Sequence, residues 1–298
     1  MDGVEQVQYW LWQNRIGVSF GLFGLGAMVG SFLNVVIVRL PDPEQSIVKP
    51  RSRCPRCARP IRWYENIPLL SYALLRGRCR GCAQPIGWRY PLVEALAGGL
   101  LVALFWQVGP TLALPIHFAF SAALVAIAFI DIDHRIIPNE ISLPGILIGF
   151  GLAFLGREGF WIESLIGIAA GGGGLLLLSL SYALIRGREG MGMGDVKLLA
   201  MLGAWLGWRS LLFIVLFASL QGVLITVAMA LAGVKLKPPL PEEWELEEQA
   251  AAGPDPEAEQ EEDVGFFGAA IPFGPFLALA AVEYLFLGQW FFDLIAGR

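Results

Sequence analysis

Two aspartates in this 298-residue chain carry residue types and surroundings suited to chemistry. Asp195 sits in Gly190-Met-Gly-Met-Gly-Asp-Val-Lys-Leu198, between two apolar runs. Asp131 opens Asp-Ile-Asp-His-Arg-Ile-Ile-Pro-Asn139, directly after the apolar run that ends at Ile130. An acid at the centre of an inserted helix costs roughly 2.5 to 3.5 kcal/mol on insertion scales, so carboxylates beside so much hydrocarbon are read as functional. Two carboxyls brought together can hydrolyse a peptide bond without a serine, cysteine or metal-bound nucleophile. One takes a proton from water while the other protonates the carbonyl oxygen or the leaving nitrogen. Like charges at close range do not both ionise easily, so such a pair titrates as a unit. Gly190, Gly192 and Gly194 would let backbone approach a substrate strand closely, and Lys197 is placed to bias Asp195 toward ionisation.

The second constellation is the whole cysteine complement, Cys54-Pro-Arg-Cys57 and Cys79-Arg-Gly-Cys82, with 21 residues between the pairs. Paired C-x-x-C at this separation fits tetrahedral zinc, whose four thiolates leave no open position, so the site is structural. Redox pairs or disulfides are the competing reading, disfavoured on a reducing cytoplasmic face.

The elements that must position these residues are membrane helices. With 56% hydrophobic and 16% charged residues and a mean hydropathy of +0.61, the chain lies outside soluble composition. Its net charge of -5 hides a segregation. Eleven of 21 Lys and Arg fall between Arg39 and Arg89, and eleven of 26 Asp and Glu between Glu242 and Asp263. Gly17–Val38 is a 22-residue run without charge, long enough to cross about 30 Å of hydrocarbon. The start of the chain has no basic n-region or cleavage site, so this run is expected to stay as a helix. Further spans are read at Pro91–Gln107, Thr111–Ile130, Ile141–Leu155, Trp161–Ile185, Val196–Trp208, Ser210–Val234 and Phe266–Ile295, eight in all. The fold expected is therefore an all-α polytopic membrane protein with a small cytoplasmic four-cysteine zinc module between helices 1 and 2.

The Arg-rich loop goes to the cytoplasm by the positive-inside rule, the N-terminus outside, and both aspartates to the cytoplasmic face. Trp10, Trp12, Trp106, Trp161, Trp205, Trp208 and Trp290 then mark outer ends. Five segments follow: 1–38, an outer N-terminus and first span; 39–90, the cysteine module; 91–234, the helical core; 235–265, an acidic, Pro-containing insert read as disordered; and 266–298, the last span. Gly171–Gly174 inside the fifth span reads as close packing or a kink. His117, Glu163 and His134 read as packing or interface residues, while Asn34 is open between packing and a substrate groove.

An ordered set of motifs resembles the bacterial prepilin peptidases, the type IV leader peptidase family. It comprises Gly30-Ser-Phe-Leu-Asn-Val-Val36 with Arg39-Leu-Pro41, the two cysteine pairs around Trp63-Tyr-Glu-Asn-Ile-Pro-Leu-Leu-Ser-Tyr72, Tyr90-Pro-Leu-Val-Glu94, Asp131–Asn139, Gly192–Leu198 and Pro272-Phe-Gly-Pro275. The resemblance implies that Asp131 and Asp195 are the catalytic pair, with Asp131 used and not Asp133. It implies type IV prepilin or type II secretion pseudopilin substrates, cleaved at the cytoplasmic side of the inner membrane after a basic leader. It also implies methylation of the new N-terminus with S-adenosylmethionine, for which no Gly-x-Gly-x-x-Gly site is present. Lipid is the other partner, and nucleic acid is not expected. Two other classes remain at this point: a transporter using the paired acids, and an assembly scaffold using the cysteine module for docking.

Overall fold

A computed structural model describes residues 3–49, 52–156, 158–186, 192–232 and 272–297. Among them lie helices α1 (Gly3–Gln13), α2 (Arg15–Arg39), α3 (Leu70–Leu74), α4 (Arg89–Val108), α5 (Ala113–His134), α6 (Asn139–Ala153), α7 (Phe160–Ile168), α8 (Gly174–Arg186), α9 (Met193–Leu206), α10 (Trp208–Leu231) and α11 (Gly274–Ile295). Strand pairing among the described residues is confined to two isolated bridges in the cysteine module. The expected acidic insert, 235–265, and the start assigned to the last span at Phe266 lie outside the described residues.

Among the described residues, six helical stretches are long and apolar enough to cross a membrane: α2, α4, α5, Phe160–Ile185, α10 and α11. The two remaining expected spans fall short. Helix α6 has 15 residues and α9 has 14, about 22 and 21 Å at 1.5 Å per residue. Their shortness has a packing reason in α9, where Val196 and every residue from Leu198 to Ala204 are buried. A helix apolar all round and enclosed by protein needs no match to the bilayer thickness.

Helix α9 is the hub, touching α6, α7, α8, α10 and α11. Its tightest crossing is with α7, where a Cβ built on Gly167 would run into the Gly203 carbonyl group and one on Gly203 into that of Gly167. Only glycine on both sides permits that backbone approach. The next turn, Ala169–Gly173, is π-helical and joins α7 to α8, and Gly171 there packs on the Leu199 carbonyl. The glycine run thus supplies both close packing and a helical irregularity.

Helix α5 separates two apolar clusters. Phe120, Leu124 and Ile127 pack with Leu198, Leu202, Phe213 and Leu277, whereas Ala122, Ala126 and Ile130 pack with Leu33, Ile37, Val93 and Ala97. Asp131 follows at the junction of the two. The helix runs on to His134, beyond the expected end at Ile130, so Asp131 and Asp133 are both helical.

Trp205 departs from its expected interfacial place. Its indole N–H donates to the Gly145 carbonyl at 2.8 Å and its ring stacks on Phe120 at 4.7 Å, inside the bundle. Trp12 and Trp106 each present a ring face to the Arg15 guanidinium, at 5.3 and 5.1 Å.

Candidate active site and cysteine module

Arg135 ends α5 in the left-handed conformation, its N–H donating to the Asp131 carbonyl at 2.9 Å. The chain then turns through Ile137 and Pro138 into α6, and Asp131 is left 5% exposed. Its Oδ2 accepts the Gly274 N–H at 3.1 Å, from the first turn of α11. A Cβ on Gly274 would lie 2.5 Å from that oxygen, so the close approach requires glycine.

Ile137 joins this corner to α9. Its side chain lies 3.2 Å from the Cβ position of Gly274 and 3.1 Å from that of Gly194. Asp195 is the next residue, half-buried in the first turn of α9 and within electrostatic range of Asp131. The two aspartates therefore share one end of the bundle. The end of α5 and the starts of α6, α9 and α11 all meet there.

Two charged neighbours, Asp133 and Lys197, are engaged elsewhere. Asp133 forms an ion pair with Arg89, the first residue of α4. Lys197 donates from Nζ to Asn139 Oδ1 at 2.8 Å, so it engages α6, not Asp195 as expected. His134 is exposed, and the His117 ring bonds its own helix at the Ala113 carbonyl, 2.7 Å away. Glu163 lies in the first turn of α7. The Asn34 amide donates to the Gly30 and Tyr90 carbonyls at 3.2 and 3.0 Å, stapling α2 to α4.

The four cysteine sulfurs gather within 4.8 Å of one another, with Cys54 and Cys82 Sγ 3.9 Å apart and no disulfide. A tetrahedral ion with sulfur ligands at about 2.3 Å requires edges of about 3.8 Å, so the donor set fits a metal. The backbone N–H groups of Cys82 and Gly81 pull the Cys79 thiol down to about 6, toward the ligating thiolate.

Sequence reasoning missed an internal repeat here. Cys54-Pro-Arg-Cys-Ala-Arg-Pro-Ile-Arg-Trp63 and Cys79-Arg-Gly-Cys-Ala-Gln-Pro-Ile-Gly-Trp88 form two matching knuckles, each closed by a bridge, Arg53 to Pro60 and Arg78 to Pro85. Ala58 and Ala83 take the same positive φ, 54° and 56°. Glu65 ties the knuckles together, pairing with Arg59 of the first at 2.9 Å and Arg80 of the second at 3.6 Å. Desolvation works against the ionised Glu65 carboxylate, yet the Arg62 N–H and the Arg59 and Arg80 guanidiniums hold it below the usual carboxylate range.

Glu94 was also missed as a structural anchor. It is buried in α4, bonds the Ser31 side chain and accepts the Leu69 N–H at 2.8 Å. Leu69 itself has φ +60°, so the buried acid fixes a turn that leucine rarely adopts.

These features define a polytopic helical membrane protein with two aspartates and a four-cysteine, metal-fitted module. The chain belongs to the type IV leader peptidase family. Residues 25–108 match the Bacterial Peptidase A24 N-terminal domain and residues 118–227 the Type IV leader peptidase family. A curated relative from Myxococcus xanthus (strain DK1622), named prepilin leader peptidase/N-methyltransferase, is 44% identical over 90% of this chain and 90% of its own length. Relatives of the same name from Aeromonas hydrophila and Neisseria gonorrhoeae are 39% and 40% identical, each over 70% of this chain, covering 80% and 81% of their own lengths. No solved structure matches the chain.

Proposed function

We propose that this protein is a membrane aspartic endopeptidase that removes the basic leader of type IV prepilins or type II secretion pseudopilins at the cytoplasmic face of the bacterial inner membrane. Methylation of the new N-terminal residue follows cleavage. The observation that carries the reading is the meeting of Asp131 and Asp195 at one end of the bundle, in a chain whose relatives bear the peptidase name. In this reading the water adds to the scissile carbonyl as one carboxylate takes its proton. The other carboxyl gives its proton to the carbonyl oxygen. Collapse of the tetrahedral species breaks the C–N bond and returns a proton to the leaving amine.

Gly274 positions Asp131 through its N–H, and Ile137 spaces the two acids. Both acids lie near one end of the bundle and not midway along it, which favours hydrolysis at a membrane face over ion transport. The eleven cations of the 39–89 segment support placing that end in the cytoplasm. The eight-span topology stands as part of this proposal, with α6 and α9 lying in the bilayer among longer neighbours.

Cys54, Cys57, Cys79 and Cys82 would hold one zinc ion, which supplies a structural cross-link between the two knuckles. S-adenosylmethionine supplies the methyl group. The described residues show no strand–glycine loop–helix unit of the dinucleotide type to hold it, and no residue is assigned to it.

The test is incubation of detergent-purified protein with a prepilin, read by mass spectrometry. A product shortened by the leader supports the reading, and an intact substrate under conditions that keep the protein monodisperse refutes it.

A further inference from the structure

Each of the two aspartates is followed, two residues on, by a charged side chain tied to another helix. Two residues of α-helix correspond to a rotation of about 200°, so positions i and i+2 point to nearly opposite sides. Asp133 is held by Arg89 at the start of α4, and Lys197 by Asn139 at the start of α6. Pinning the i+2 side chain outward fixes the rotation that turns the i side chain inward. The Arg89 and Asp133 side chains are 27% and 29% exposed, so most of each is removed from water and the pair is only partly screened.

We propose that Arg89 and Asn139 are positioning residues for leader hydrolysis, setting the rotation of the α5 and α9 ends and so the mutual geometry of Asp131 and Asp195. The proposal rests on the proteolytic reading above. Arg89 has a second consequence, because it directly follows the second cysteine knuckle, which ends at Trp88. The cysteine module and the peptidase corner are thereby joined by one ion pair, Arg89 to Asp133. Substrate contact is not required of either positioning residue, so their loss should act on turnover and not on binding.

The experiment is a double-mutant cycle on the full-length protein with Arg89→Ala, Asp133→Asn and the double variant, alongside Asn139→Ala and Asp131→Asn. Steady-state cleavage of a prepilin is measured, and thermal unfolding checks each variant. Arg89→Ala and Asp133→Asn should each lower kcat about tenfold with KM within about twofold, the size expected when reacting groups are displaced by a fraction of an ångström. The double variant should be no worse than either single one, because a pair can be lost only once. Arg89→Lys should recover most of the activity, and Asn139→Ala should lower kcat in the same way. Unchanged kcat in Arg89→Ala, additive losses in the double variant, or a rise in KM alone would overturn the proposal. If Asp131→Asn still cleaves, the proteolytic assignment fails first. If Asp131→Asn is inactive and Arg89→Ala is fully active, only the positioning role fails.

Discussion

Replacing Gly274 by alanine perturbs Asp131 without replacing any titratable residue. The added Cβ would lie 2.5 Å from Asp131 Oδ2, whereas ordinary contact begins at 3.4 Å, so the carboxylate or the start of α11 must yield about 0.9 Å. Ile137, 3.2 Å from the same point, blocks part of the escape. The 3.1 Å Gly274 N–H bond lengthens or breaks, and a hydrogen bond to a charged group is worth about 1.5 to 3 kcal/mol. At about 1.4 kcal/mol per decade this is roughly ten- to 150-fold in rate, the same scale as misplacing a reacting group by about 1 Å. Alanine is a better helix former than glycine by about 1 kcal/mol, so the fold itself should not suffer from the change in propensity. Gly222→Ala is the matched control, since its Cβ would meet Phe276 at an ordinary 3.7 Å. Leader cleavage should fall ten- to a hundredfold in Gly274→Ala with its melting temperature within a few degrees of wild type, and stay near wild type in Gly222→Ala. Gly274→Ala turnover within about twofold of wild type would refute the reasoning.

Further outcomes follow from the packing and the cysteine module. Gly203→Ala drives a methyl group into the Gly167 backbone, an overpacking that costs about 1 to 3 kcal/mol or more, and should lower the melting temperature by roughly 5 °C in a fluorescence scan. Cys54→Ser should take the metal content of the purified protein from one zinc per chain to none, and a wild type that folds without metal would end the zinc assignment. Glu94→Leu leaves the Leu69 N–H without its acceptor and should speed proteolytic nicking between Trp63 and Leu74, whereas Glu94→Gln keeps an acceptor oxygen and should resist as wild type does.

Much of the helical frame was legible because apolar runs of bilayer length announce themselves. Helices α2, α4, α5 and α10 begin and end within about four residues of the expected limits. Composition does not distinguish an interfacial indole from one packed between helices, which is why Trp205 read as an interfacial ring although it stacks on Phe120. The aspartates and cysteines stood out by chemistry, a carboxylate beside hydrocarbon and thiols at ligand spacing. Their supports did not. Gly274 meets Asp131 across 143 positions of sequence, and Glu94 meets Leu69 across 25. A glycine that serves by its N–H and its missing methyl group leaves no periodic or compositional mark. Lys197 was read toward Asp195 because the two are neighbours in sequence, but the helix turns it about 200° away. The knuckle repeat was visible in the letters, Ala-x-Pro-Ile-x-Trp after each pair, and would have been found by sliding the segment on itself by 25 positions.

The central claim is that Asp131 and Asp195 together activate the hydrolytic water. Its most direct test is the leader-cleavage rate of purified Asp131→Asn and Asp195→Asn, each measured beside Asp133→Asn in the same membrane-mimetic preparation. The account predicts no detectable product from either of the first two and slowed but measurable cleavage from the third. Product formed at a substantial fraction of the wild-type rate by either Asp131→Asn or Asp195→Asn would contradict it.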